Sequence, residues 1–175
     1  MLNFVLSLLV WIVGPSDDSE KLRATAPAYL TVSSAVNHLW AARIIGALTE
    51  TDPAVLLAIG WHESRYVVNA VTREPGGVAF DTGRVVPVRY SCGVMTPTPN
   101  ERCTAEDLTL IGGYLAGARH LRMWLDIRRH LWLAVRSYAG AGERAERFAT
   151  EMIGRAGMIR SPRALRAKIT RPPAT

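Results

Sequence analysis

The chain has 175 residues, of which 49% are hydrophobic and 21% charged. That length suits one domain with a true core, and the composition excludes a disordered polypeptide. Lysine and arginine exceed the acids by six, nearly all as arginine and much of it after Arg119. Such a balance suits a polyanionic partner: nucleic acid, anionic lipid or an anionic wall polymer.

Residues 4–13, FVLSLLVWIV, form a continuous apolar run followed by GPSDDSE, which returns the chain to water. Ten apolar residues are too few for a bilayer span and fit the core of an export signal or short anchor. No Lys or Arg precedes the run, so a segment that stays and packs on the domain or a membrane surface is the competing reading. The expected layout is an apolar N-terminal segment, 1–26, then one domain over 30–170. Membrane contact is expected only through residues 4–13.

Val32 to Leu48 predicts the first helix, with Val32, Ala35, Val36, Leu39, Trp40, Ile44 and Leu48 at helical spacing. His38 within it reads as a surface or satisfied core histidine. Thr49–Thr51 connects to the stretch on which the rest is organised, DPAVLLAIGWHESR from Asp52 to Arg65. Asp52 is an N-cap acceptor and Pro53 suits the first helical position. Ala54 to Trp61 carry no ionisable side chain, so this helix is expected to be buried on all sides. Leu56, Ile59, Gly60 and Glu63 share one face, which carries a carboxylate to the lip of an apolar core. Burial there should raise the pKa of Glu63 and fit it to act as a general acid. The plain alternative is a solvated Glu63 paired with Arg65 or Arg73. His62 is adjacent on the helix, points elsewhere and is assigned no role.

Tyr66 to Val71 reads as an irregular or extended exit, and Glu74–Gly77 as a turn. Val78 to Val88 reads as a small hairpin whose second strand Pro87 confines to an edge. Cys92 and Cys103 bracket a short loop; they would be joined in an exported chain and free in a cytosolic one. There is no CxxC pair and no HExxH, so a zinc site is not expected; with no phosphate-binding glycine loop either, no cofactor is expected. Ala105 to Ile127 predicts the longest helix, with Gly112, Gly113 and Gly117 permitting close packing. His130 to Tyr138 predicts a helix with Leu131, Ala134 and Val135 inward, stopped by glycines. Arg144–Met158 and Pro162–Ile169 read as basic amphipathic helices.

Taken together, these motifs resemble the lysozyme-like domain of lytic transglycosylases of the soluble lytic murein transglycosylase type, found in bacteria and phages. Glu63-Ser64 stands at that family's Glu-Ser motif on a buried helix. Gly93-Val94-Met95-Thr96 stands at its Gly-Leu-Met-Gln motif, and Tyr138-Ala139-Gly140 at its Tyr-Asn-Ala-Gly motif. The order holds from about Thr51 to Gly142, with Thr96 in place of Gln and Ala139 in place of Asn. The resemblance implies a mainly α, α+β lysozyme-like fold with a buried central helix and one small β-hairpin. It implies cleavage of the β-1,4 bond between N-acetylmuramic acid and N-acetylglucosamine, with a 1,6-anhydro product. Glu63 would be the single acid and base. Met95 would wall the site, Tyr138 would donate to Glu63, and Ser64 and Thr96 would bind sugar. The implied partner is the peptidoglycan glycan strand, in the cell envelope or on a phage particle.

Two other readings share these residues. A goose-type lysozyme-like hydrolase needs a second acid, for which Glu74, Asp81 and Glu101 are the nearby candidates. A non-catalytic wall-binding or structural domain of a phage particle or secretion apparatus needs none. Nucleic acid is not the expected partner, because the arginines are not interleaved with stacking aromatics.

Overall fold

Asp52 and Pro53 start the central helix as their chemistry requires. In the computed structural model, which describes residues 32–74, 77–78, 85–86, 88–97 and 102–160, the Asp52 carboxylate accepts from the Ala54 N–H at 2.8 Å. Helix α2 then runs Pro53–Ser64, with every residue from Ala54 to Gly60 buried. Arg65 ends it in the left-handed conformation (φ 56), its N–H reaching the Trp61 carbonyl at 3.0 Å.

The remaining helices wrap this one. Helix α1 spans Val32–Thr49, α3 Leu110–Arg128, α4 Leu131–Tyr138 and α5 Gly142–Arg160. Helix α2 packs on α1 and α5, α3 packs on α1 and α4, and α4 packs on α5. Between α2 and α3 the described residues form four short strands: β1 Val71–Glu74, β2 Gly77–Val78, β3 Val85–Val86 and β4 Arg89–Cys92. β1 pairs antiparallel with β4 and β2 with β3, so the pairs nest in sequence as two parts of one hairpin. The fold is mainly α with that hairpin.

Several boundaries differ from the sequence expectation. The hairpin is longer than Val78–Val88, because Val71–Glu74 and Arg89–Cys92 also pair; Thr72, Arg73, Arg89 and Tyr90 are polar or aromatic and hid the alternation. Helix α3 starts at Leu110, not Ala105: the Thr109 hydroxyl accepts from the Gly112 N–H at 3.0 Å and so caps it. The inward face of α1 is Ala35, His38, Ala41, Ala42 and Ile45, while Val36 and Leu48 are exposed. His38, not an apolar residue, occupies the centre of that face. The predicted helix over Pro162–Ile169, the apolar run 4–13 and the rest of segment 1–26 lie outside the described residues. Among the described residues, no helix is long and apolar enough to cross a membrane.

The glycines of α3 do what close packing asks of them. A Cβ on Gly117 would stand 2.5 Å from the Met95 Cβ, and one on Gly113 would stand 2.9 Å from the Val94 nitrogen. Helix α3 therefore presses directly against the turn Gly93–Met95. The disulfide Cys92–Cys103, with Cα atoms 5.7 Å apart, ties the same turn to the segment leading into α3.

Candidate active site

Three consequences of this packing converge on Glu63. Helix α2 delivers its carboxyl to the floor of a groove of about 700 Å³. Thr72 of β1 and Ser91 of β4, opposite one another in the strand register, form one wall. The opposing wall is Arg144, Arg147, Phe148 and Glu151, one face of α5, and Tyr138 closes the groove beside them.

Thr96 stands over the carboxyl. Its hydroxyl donates to Glu63 Oε2 at 2.6 Å, from a backbone in the left-handed region (φ 36). That conformation is unfavourable for a β-branched residue and is held by two neighbours. The Ser64 hydroxyl lies 2.8 Å from the Val94 carbonyl and 3.1 Å from the Gly60 carbonyl. The Tyr138 hydroxyl donates to the Met95 carbonyl at 2.7 Å. Residues from the first and third motifs thus grip two successive peptide groups of the second and leave the Thr96 hydroxyl on Glu63.

Burial raises the Glu63 pKa above the ordinary carboxylate value; the Thr96 hydrogen bond and the positive charges of His62, Arg144 and Arg65 oppose the rise without cancelling it. Glu63 forms no ion pair with Arg65 or Arg73 among the described residues. Arg65 instead donates to the Trp61 and His62 carbonyls, both at 2.8 Å, and stacks on the Trp61 ring. Burial and the nearby Glu63 charge push the Tyr138 phenol well above its ordinary range, so it stays a neutral donor.

The predicted roles are thereby redistributed. Glu63 and Thr96 meet in the groove, but Thr96 serves the carboxyl directly. Tyr138 lines the groove yet donates to the Met95 carbonyl and not to Glu63, because the Gly93–Thr96 turn lies between them in reach of its hydroxyl. Met95 is fully buried against Gly117 and walls no part of the groove. Ser64 turns its hydroxyl inward to backbone carbonyls and is not available to sugar. His62 does reach the groove, 3.6 Å from Glu151 and edge-on to Phe148. Asp81 and Glu101 lie outside the described residues, as does the side chain of Glu74.

Sequence reading missed Thr72, Ser91 and the α5 wall. The signal for the latter was present: 144, 147, 148 and 151 recur at helical spacing but read only as part of a basic amphipathic helix. No group of three or more His, Cys, Asp or Glu residues that could hold a metal occurs among the described residues. Compared with protein-family models, curated proteins and solved structures, the chain matches none.

Proposed function

We propose that the protein is a peptidoglycan lytic transglycosylase in which Glu63 acts first as acid and then as base. The observation that carries this reading is a carboxyl with raised proton affinity at the floor of a groove, held by one neutral donor. A glycan strand laid along the groove meets the hydroxyls of Thr72 and Thr96. Thr96 donates to Oε2, which leaves Oε1 to carry the proton towards the bond to be cut.

Protonated Glu63 gives its proton to the glycosidic oxygen as the bond from that oxygen to C1 of the N-acetylmuramic acid breaks. The carboxylate so formed takes the proton from the C6 hydroxyl of the same sugar, and that oxygen bonds to C1. The products are a free 4-hydroxyl and a 1,6-anhydro ring, and Glu63 is protonated again. Water does not enter the balance, so no second carboxylate is required.

One observation favours the hydrolase as a second reading: Glu151 also lines the groove. It lies 3.6 Å from Arg155 and 3.6 Å from His62, which hold its carboxyl on the groove wall facing the Glu63 side, where a second acid would activate water. Mass spectrometry of digested peptidoglycan separates the two. Anhydro products support the transglycosylase; products heavier by one water, lost on Glu151→Gln, replace it with the hydrolase. No cleavage by the oxidised protein overturns both.

A further inference from the structure

Helix α5 brings to the groove two arginines that the proton transfers at Glu63 do not use. Arg144 and Arg147 lie on the lining with Glu63, Thr72 and Ser91, one helical turn apart. Arg144 has no ion-pair partner among the described residues. Arg147 is joined to Glu143 at 3.3 Å, but those side chains are 73% and 88% exposed, and so open a pair is readily exchanged for another anion. The acid nearest them on the same face, Glu151, is already engaged by Arg155 and His62. Arg144 therefore faces the groove without an ion-pair partner among the described residues, and Arg147 with only an exposed one.

A guanidinium fork matches a carboxylate in shape as well as charge. Two forks beside two carboxyl groups, Glu63 and Glu151, are too few to hold a polyphosphate backbone. They are enough to hold a single acid group attached to a sugar whose hydroxyls meet Thr72 on the opposite wall.

We propose that Arg144 and Arg147 form a carboxylate-binding subsite that makes the groove selective for acid-bearing glycan strands over neutral ones. The subsite deepens the transglycosylase reading and rests on it for the substrate, but binding is separable from cleavage. The carboxylate has two sources in peptidoglycan: the peptide stem, and the lactyl group once the stem is removed.

The test uses the full oxidised chain carrying Glu63→Gln, so that strands are bound and not consumed. Its binding is measured against intact peptidoglycan, amidase-stripped strands, carbodiimide-amidated peptidoglycan and neutral chitin oligomers. Adding Arg144→Gln with Arg147→Gln should weaken binding to acid-bearing strands at least fivefold and leave chitin binding unchanged. Arg144→Lys with Arg147→Lys should restore much of the loss, and all variants should melt alike. A loss confined to intact peptidoglycan assigns the peptide carboxylate; a loss that includes stripped strands assigns the lactyl group. Equal binding of amidated and native peptidoglycan, or no loss in the double glutamine variant, overturns the subsite. Cleavage by Glu63→Gln at the wild-type rate would instead overturn the transglycosylase reading, and the subsite would then be judged by the same comparison with binding read before turnover, at low temperature.

Discussion

In the proposed mechanism a carboxyl at the edge of a core has to be kept both protonatable and aimed, and separate features would do these two things around Glu63. Burial raises its pKa and the Thr96 hydroxyl aims it. Glu63→Gln preserves the shape but cannot donate to the leaving oxygen, so cleavage should fall by about 10²–10⁴-fold. Its stability should carry a sign as well. A carboxyl whose pKa is raised on folding stabilises fully below its unfolded pKa, and that contribution is lost as pH rises through the folded value. The melting temperature of Glu63→Gln should therefore exceed that of the wild type more at pH 7 than at pH 4; the opposite trend would mean that Glu63 is not desolvated. Thr96→Val removes the donor without changing branching at Cβ. It should move the alkaline limb of the rate profile to higher pH and cost on the order of tenfold in kcat/KM, and an unmoved limb would detach Thr96 from the carboxyl. Tyr138→Phe is expected to behave differently from a donor to Glu63. It strips the Met95 carbonyl of a partner, so it should lower stability by about 1 kcal/mol and disturb Glu63 only through Thr96. Chemical denaturation alongside kcat/KM separates the two, since a large loss of activity at unchanged stability would restore a direct bond to Glu63.

At the level of elements, what was legible in the sequence was whatever a single helix declares about itself. Asp52-Pro53 and the unbroken run Ala54–Trp61 announced α2 and the depth of Glu63, and Gly112, Gly113 and Gly117 announced a close approach on α3. What the sequence concealed lay in relations between elements. Nothing local to Val71–Glu74 says that it pairs with Arg89–Cys92, and nothing local to Tyr138 says that the Met95 carbonyl lies nearer than Glu63. The glycine contact itself is testable. Gly117→Ala would put a Cβ against Met95 at 2.5 Å from its Cβ and 2.7 Å from its sulfur, so it should destabilise by about 1–3 kcal/mol through overpacking. Because Met95 precedes Thr96, it should also lower cleavage. Gly154→Ala on α5 meets nothing within 4 Å and should instead stabilise by about 0.5–1 kcal/mol. Chemical denaturation of the two variants checks the pair, and equal effects of the same sign would mean that α3 does not press on the Gly93–Met95 turn.

Over the whole molecule, the otherwise apolar core of the helical array contains a buried polar triad. His38 of α1 is 2% exposed. Its Nδ1 lies 3.1 Å from the hydroxyl of Tyr114 on α3, and its ring lies 4.7 Å from that of Tyr66, just beyond α2. Three elements are thus joined through a neutral imidazole. Burial lowers the His38 pKa from 6.5 to about 4, although a hydrogen bond to the Tyr66 backbone works the other way. Burial also pushes both tyrosines up, so neither offers a negative charge to an imidazolium. The unfolded chain binds a proton at His38 below pH 6.5 while the folded chain does not until about pH 4. Stability from this group is therefore full above pH 6.5 and is lost as pH falls between those values, on the order of 3 kcal/mol by linkage. Glu63 acts in the opposite direction over part of that range, but it is only partly buried, at the edge of the groove, and its effect is screened. Net stability in urea should fall from pH 6.5 to pH 4. The slope should flatten in His38→Gln and steepen in Glu63→Gln, where the opposing gain is gone. An unchanged slope in His38→Gln would mean that acid opens the molecule at another site and that the triad does not set its acid limit.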